Sequence, residues 1–182
     1  MTPSLFALIA EDWRAHGRDW TKPGFRTLAV HRFGVWRMRV RPKLVRAPLS
    51  LIYRMMFRHC RNVYGIELPW SVQVGRGVVI EHQGGIVVHG ATVIGDRCII
   101  RQNCTLGIRR LDDLNAAPVL EDEVELGAGA VVLGAIRLGR GARIGANAVV
   151  LDDVPAGALA VGTAARISGA PRNPAPTNDK NP

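Results

Sequence analysis

The sequence predicts a mainly β fold, a parallel β-helix of hexapeptide repeats preceded by a short α-helical segment. The first observation is that every sixth residue is aliphatic over residues 120–155. The second is that the fifth position of each unit there is also small or aliphatic. A helix repeats its apolar face every three to four residues and a strand every two, so a period of six indicates a solenoid with three short strands per coil. A β-sandwich with regular turns is the alternative, and six consecutive matches argue against it.

Residues 1–66 are predicted to form a basic α-helical segment. Apolar patterns there indicate helices over residues 3–16, 25–41 and 49–63, with Pro42 and Pro48 separating the last two. Residues 1–70 contain 13 Lys and Arg against 4 Asp and Glu, which accounts for the whole net charge of +9. Because no nucleic-acid motif accompanies this charge, we expect peripheral contact with an anionic membrane and no nucleic-acid binding. A merely solvated basic face is the alternative.

The β-helix domain is predicted over residues 67–169, with the repeat starting near Pro69. Its units open at Val74, Ile80 and Ile86, and then resume from Val88 with an offset of two, which predicts a bulge near residues 86–90. Residues 107–118 are polar and irregular and should form a loop. Residues 156–169 should form a closing strand or cap. The tail, residues 170–182, has almost nothing to bury and is predicted to be disordered.

Composition points to a reduced, cytoplasmic environment. No apolar run reaches membrane-spanning length, and the N-terminal residues do not have the pattern of a secretory signal. The three cysteines have no metal-type spacing, and we expect no metal. Cys98 and Cys104 occupy small core positions of the repeat, which favours a structural role over a nucleophilic one.

His82 is the candidate catalytic base. It lies two residues after the core position Ile80, so it should project from the surface of the solenoid. A neutral imidazole can take the proton of an alcohol that attacks an acyl group, provided that a carboxylate orients the ring. Glu67 and Glu81 are the candidate carboxylates. From the period alone, a lone histidine on the face of a solenoid is usually an ordinary surface residue. Structural or exposed roles are expected for the helical histidines His16, His31 and His59.

Several motifs follow one another between residues 65 and 169: Ile80-Glu81-His82, Gly85-Ile86-Val87-Val88, Cys104-Thr105-Leu106-Gly107, the runs 126–130 and 139–146, and Val154-Pro155 with Gly162 and Ala165-Arg166-Ile167. In this order they resemble the serine acetyltransferase branch of the hexapeptide-repeat acyltransferases. The resemblance implies a left-handed β-helix, acetyl-CoA as co-substrate, and homotrimers or dimers of trimers.

The resemblance also implies roles for individual residues. The family's base falls on His82, and its orienting carboxylate on Glu67. Glu67 and Glu81 both stand where the family carries Asp, so their carboxylates lie one methylene farther out. Acetyl-CoA is expected to bind between adjacent subunits. Backbone groups would contact it at Gly107, Ala128 and Ala146, and the basic side chains of Arg143 and Arg166 would meet its phosphates. Transfer is expected to be direct, without an acyl-enzyme.

One departure from the family bears on the acceptor. Serine acetyltransferases carry Arg-His before the proline that ends the loop, where this chain has Ala116 and Ala117 before Pro118. An alanine cannot replace a guanidinium that holds a carboxylate. This feature and the short helical segment are similar to the colanic acid acetyltransferase type, and favour a sugar hydroxyl in exopolysaccharide biosynthesis, at the inner membrane face. L-serine is the alternative acceptor, and an inactive trimeric scaffold is the third hypothesis.

Overall fold

The computed structural model describes residues 4–162 of the chain. Three α-helices come first, and a π-helical turn, Cys60–Tyr64, follows the third. The helices are α1 (Leu5–Ala15), α2 (Pro23–Arg37) and α3 (Lys43–His59). The strands are β1 (Ile66–Glu67), β2 (Gln73–Val74), β3 (Val79–Ile80), β4 (Ile86–Val88), β5 (Val93–Ile94), β6 (Ile99–Ile100), β7 (Thr105–Gly107), β8 (Val119–Leu120), β9 (Glu125–Leu126), β10 (Val131–Leu133), β11 (Arg137–Leu138), β12 (Arg143–Ile144), β13 (Val149–Val150) and β14 (Leu159–Ala160).

The strands build three parallel sheets around a common core. Sheet A has the order β1-β4-β7-β10-β13, sheet B the order β11-β8-β5-β2, and sheet C the order β14-β12-β9-β6-β3. From β1 to β13, consecutive strands therefore enter the three sheets in turn, so that each coil contributes one strand to each sheet. In the last coil, sheet B receives only the bridge of Val154 to Leu138 before β14 joins sheet C. This confirms the predicted parallel β-helix with three strands per coil.

The six-residue period corresponds to the sides of the prism. Leu120 pairs with Leu138 and Leu126 with Ile144, eighteen residues apart in each case, which is three units of six. The aliphatic positions that define the period are buried, as are the small residues at the fifth position of each unit, for example Ala130. The apolar core is thus a column of stacked side chains, which stabilises the solenoid by removing that surface from water.

Two interruptions of the period were predicted, and the structure places one of them differently. No strand occurs between β7 and β8, so the polar stretch forms a loop over residues 108–118. The two-residue offset, however, does not lie at residues 86–90, because β4 is a regular strand there. Ile80 pairs with Ile100, twenty residues on, whereas Val88 pairs with Leu106, eighteen residues on. The added residues therefore lie in the turn 81–85.

The helical segment caps the first coil of the prism. The edge strands β2 and β3 would otherwise present unpaired backbone groups, which proteins usually cover. Nε2 of His31 donates to the Val72 carbonyl at 2.9 Å, and the Arg32 guanidinium donates to the carbonyls of Val74 and Gly75 at 2.7 and 2.6 Å. Two side chains of α2 thus bind the backbone beside β2.

A buried ion pair fixes α1 to α2. Arg32 donates to both carboxylate oxygens of Asp12, at 2.9 and 3.2 Å, and both residues are buried. Burial raises the pKa of Asp12, while the Arg32 guanidinium acts in the opposite direction. Since Arg32 also binds two carbonyls of the first coil, one guanidinium connects both helices to the β-helix.

The helices differ in detail from the sequence expectation. α3 begins at Lys43 and contains Pro48, which was expected to separate helices. Proline removes one N–H donor from a helix and leaves a carbonyl four residues earlier without its partner. That residue is Leu44, which is 91% exposed, so water can reach it. Among residues 4–162, no helix combines the length and the apolar character that crossing a bilayer requires.

Several expectations fall outside the described residues. They are the disordered tail (170–182), the end of the closing segment (163–169) and the assignment of Arg166.

Candidate active site

The corner of the prism between sheets C and A holds four of the predicted site positions, Glu81, His82, Ala128 and Ala146. It consists of the turns 81–85, 101–104, 127–130 and 145–148, one in each successive coil. Backbone hydrogen bonds stack these turns: Asn103 N–H donates to the Gly84 carbonyl at 2.9 Å, and Asn147 N–H donates to the Ala128 carbonyl at 2.8 Å. Residues far apart in sequence, such as His82 and Ala146, therefore belong to one column on the surface.

His82 lies in the longest of these turns. This turn is two residues longer than the equivalent turn of the next coil, and the added length carries the chain outward. His82 is exposed. Its φ is 65°, in the left-handed region that non-glycine residues adopt only rarely. Gly85, at φ 64°, packs so closely on Asn103 that a Cβ would come within 2.3 Å of the Oδ1 atom. The turn is thus held against the next coil while His82 faces out.

A cavity of about 470 Å³ opens beside His82, between its turn and the helical segment. The lining residues from the prism run from Val79 to Gln83, and those from the helical segment include His16 and Lys22, in the linker between α1 and α2, and Gly24 of α2. The helix α2 approaches β3 closely at Gly24. Only glycine fits there, because a Cβ would lie 2.1 Å from the Ile80 carbonyl oxygen. A small acceptor in this cavity would contact both regions of the molecule.

His16 connects the helices to the strand that leads into His82. Its Nδ1 lies 2.7 Å from the Asp12 carbonyl oxygen, and the Ile80 N–H donates to its Nε2 at 3.2 Å. Burial lowers the pKa of His16, in keeping with a neutral ring that donates at Nδ1 and accepts at Nε2. His16 is buried and thus structural, as the sequence suggested, but it also lines the cavity.

The two predicted carboxylates occupy different surroundings. Glu81, next to His82, accepts a hydrogen bond from Nε of Arg101 at 3.0 Å. Glu67 is half-buried in β1, where it pairs with Val87 in sheet A. The hydrogen bonds found within residues 4–162 include none between Glu67 and His82. The structure therefore places Glu67 in the coil before that of His82 and shows no hydrogen bond from it to the imidazole.

Arg101 was missed by the sequence reasoning. It follows Ile100, the partner of Ile80 in the next coil, just as Glu81 follows Ile80. A comparison of positions twenty residues apart would have paired an acid with a base. The offset of the period concealed this spacing, since a regular coil has eighteen residues.

The residues expected to contact acetyl-CoA lie on both sides of sheet A. Ala128 and Ala146 occupy equivalent turns of successive coils in the same column as His82. Arg143 lies nearby in β12 with an exposed side chain. Gly107, by contrast, ends β7 at the opposite side of sheet A, where its carbonyl accepts from Gly134 N–H at 2.9 Å.

The cysteines are unsuited to nucleophilic catalysis. Cys60, Cys98 and Cys104 are all buried and free. Burial raises the pKa of the Cys98 thiol to about 11, and burial also raises the pKa of Cys104. Their sulfurs lie 3.1 and 3.2 Å from the Glu121 and Gly127 carbonyl oxygens. A thiolate is the reactive form, so these groups are not activated.

Serine acetyltransferases are among the known proteins to which this chain is similar. The serine acetyltransferase of Helicobacter pylori strain J99 is 44% identical over 115 residues, which cover 63% of this chain and 67% of that protein. The chain belongs to the serine acetyltransferase-like branch of the hexapeptide-repeat acyltransferases. The enzyme of Synechococcus elongatus is 37% identical over 145 residues, 80% of this chain and 57% of that protein. No protein-family profile matches the chain.

Solved structures agree with this membership. Soybean serine acetyltransferase complexed with serine superposes with a TM-score of 0.74 at 32% identity, over 91% of this chain and 70% of that one. The Brucella abortus serine acetyltransferase in complex with coenzyme A gives 0.71 at 25% identity, over 89% and 66%. The left-handed β-helix expected from the sequence is the fold of these neighbours. The chain spans a little over half the length of the Synechococcus relative.

Proposed function

We propose that this chain is an acetyl-CoA-dependent O-acetyltransferase in which His82 is the general base. The observation that carries the proposal is the inserted corner turn. It presents an exposed imidazole to a cavity and lies in one column with the backbone turns of Ala128 and Ala146. Membership in the family and the coenzyme A complex of the Brucella neighbour support the choice of co-substrate.

The proposed transfer is a single displacement. The His82 imidazole takes the proton from the acceptor hydroxyl as its oxygen attacks the thioester carbonyl. The C–S bond breaks, and the leaving thiolate receives the proton from the imidazolium. A covalent enzyme intermediate is not required, in agreement with the buried cysteines.

The carboxylates are proposed as positioning residues. Glu67 would orient the His82 ring and stabilise the imidazolium, as carboxylates do in related catalytic arrangements. The side chain is half-buried and would need to turn toward the corner. Glu81, held by Arg101, would fix the start of the turn and place a negative charge next to the base. Acetyl-CoA would contact the backbone at Gly107, Ala128 and Ala146, with Arg143 and Arg166 near its phosphates.

L-serine is the acceptor that we propose first. The sequence alone favoured a sugar, on the grounds that Ala116 and Ala117 cannot bind a carboxylate. The relatives reverse this order, since those matched are serine acetyltransferases and the soybean neighbour is complexed with serine. Lys22 offers a different cation: it lines the cavity beside His82. We propose that its ammonium group meets the serine carboxylate.

A sugar hydroxyl in exopolysaccharide biosynthesis is the second candidate. A specific observation favours it: the loop has a cavity of about 370 Å³ lined by Ala116, Arg109 and Arg110. Neither arginine is free to replace the family's Arg-His pair, because Arg109 donates to the Leu133 carbonyl at 3.0 Å and Arg110 pairs with Asp112. The cavity lies at the opposite side of sheet A from His82, so a larger acceptor would use this space where a neighbouring copy brings the two corners together.

A homotrimer, or a dimer of trimers, is proposed as the working assembly, in the cytoplasm. Two observations support it. Gly107 and Ala128 lie at opposite sides of sheet A, so a neighbouring copy could bring one corner against the other. Val87 and Val149 are exposed apolar side chains in one row of that sheet, on β4 and β13. A monomeric mass in light scattering would contradict the assembly.

The acceptor is tested by comparing thiol release from acetyl-CoA with L-serine and with nucleotide sugars. For serine we expect that Lys22→Met raises KM at least about tenfold with kcat little changed, because one charge-assisted contact is lost. The matched control is Arg18→Met, a basic residue in the same linker that is not part of the cavity lining. An unchanged KM in Lys22→Met would remove the lysine from the acceptor site. Release with a sugar alone would select the second candidate.

A further inference from the structure

The outer face of α3 is apolar and has no partner within residues 4–162. Tyr53 is the buried residue of this helix, and it packs toward α2 with Cys60. The opposite side carries large apolar side chains that are at least two-fifths exposed. They are Leu44, Val45, Leu51, Ile52 and Met55. An apolar stripe of this extent on a helix surface marks a contact with something other than residues 4–162.

The stripe follows the helical period. Leu44, Leu51 and Met55 are separated by seven and four residues, and Pro48 and Ile52 fill the same side. Leu51 and Met55 are 54% and 56% exposed. α3 therefore has two apolar stripes. One packs on the rest of the protein, and the other faces outward.

The charge beside the stripe has one sign. α3 and the π-helical turn contain Lys43, Arg46, Arg54, Arg58 and Arg61, with no acidic residue. Between residues 20 and 66 there are 11 Lys and Arg and no Asp or Glu. The salt bridges found in the described part of the chain involve none of these five. The face thus offers apolar side chains flanked by cations that have no counter-charge among the described residues.

We propose that the outer face of α3 docks on an anionic lipid surface. A helix lying in the membrane interface inserts apolar side chains between the headgroups while lysine and arginine bind the lipid phosphates. The charge argues against the other simple occupant, a second copy of this face, because it would bring five more positive charges to the contact. The charge of the N-terminal segment led us to expect contact with an anionic membrane, and the outer face of α3 is the surface that would make it. This docking does not depend on the proposed reaction.

Vesicle flotation tests the proposal on the full chain. The probes are phosphatidylcholine vesicles with and without a third of phosphatidylglycerol. We expect binding to the anionic vesicles only, and weaker binding as salt rises. Leu51→Glu combined with Met55→Glu should reduce the partition coefficient at least about tenfold, because two inserting side chains become charged. Arg54→Gln combined with Arg58→Gln should reduce it by about fivefold per charge.

The matched control is Leu111→Glu, which alters a residue that is 87% exposed in the loop. It adds a negative charge away from α3 and should leave flotation nearly unchanged. Circular dichroism and thiol release should stay native in all three variants, since the altered side chains lie outside the core and the cavity. Absence of native-protein binding at low salt would overturn the proposal. So would loss of self-association, rather than of flotation, in the Leu51/Met55 variant.

Discussion

The β-helix and the helical segment are stabilised in different ways. In the β-helix, buried positions hold aliphatic or small side chains, repeated in every coil. In the helical segment, the buried residues include the polar and charged side chains of Asp12, His16, His31 and Arg32. The first region depends on apolar burial that many residues share. The second depends on a few hydrogen bonds, each of which is costly to remove once the group is buried.

This difference determines how far each region could be predicted. A period of six identifies the core positions of the solenoid, its strand count per coil and the loop at residues 108–118 without further information. The links from His16 to Ile80 and from Arg32 to Asp12 have no local signature, because they join residues 64 and 20 positions apart. The apolar pattern indicated helices there, but the capping of the first coil could not be deduced from their sequence.

The candidate site lies where the two regions meet, and it was partly predictable for the same reason. His82 followed from its position after Ile80 and from the family motif. Lys22 and Arg101 could not be predicted in this way. Lys22 belongs to the irregular linker between α1 and α2, and the two-residue insertion places Arg101 twenty residues after Glu81 and not the regular eighteen. The bulge was predicted at residues 86–90, a few residues after its actual place in the turn 81–85. An offset between core positions shows that residues have been added, but it does not show where between those positions they lie.

Breaking the buried ion pair should produce the largest loss of stability. Asp12→Ala leaves the Arg32 guanidinium buried without its counter-charge, and we expect a loss of about 3–5 kcal/mol in the free energy of unfolding. Urea denaturation measures it. Glu123→Ala, which breaks the exposed Arg97–Glu123 pair of the β-helix, is the control and should change stability little. Equal losses in the two variants would remove the contrast between the regions.

The buried histidine of α2 should make the stability pH-dependent. Burial lowers the pKa of His31 from 6.5 to about 4. Between these values the unfolded chain binds a proton that the folded chain does not, so stability falls as the pH drops from about 6.5 to about 4. The contribution is about 3 kcal/mol. Burial also lowers the pKa of His16, which adds in the same direction.

His31→Gln should flatten this pH dependence, because the amide can still donate to the Val72 carbonyl and does not titrate. Denaturation midpoints measured at several pH values between 4 and 7 would show the difference. An equally steep decline in the variant would place the titrating group elsewhere.

Widening the contact between the regions should have a smaller effect on stability and a clear one on activity. Gly24→Ala puts a methyl group 2.1 Å from the Ile80 carbonyl oxygen, so α2 must move away from β3. We expect a loss of about 1–3 kcal/mol and a reduced rate, since the cavity wall beside His82 shifts. Thermal unfolding and thiol release measure the two effects. Gly162→Ala, whose Cβ would meet its nearest atom at 3.5 Å, is the control.

The most direct test of the proposed site is the rate of thiol release from acetyl-CoA with L-serine as the only acceptor, for the native protein and for His82→Ala. We expect rapid release by the native protein and a reduction of about 10²–10⁴ in kcat for the variant, with an unchanged circular dichroism spectrum. A variant that retains the native rate would contradict His82 as the base. Absence of release by the native protein with serine would contradict serine as the acceptor.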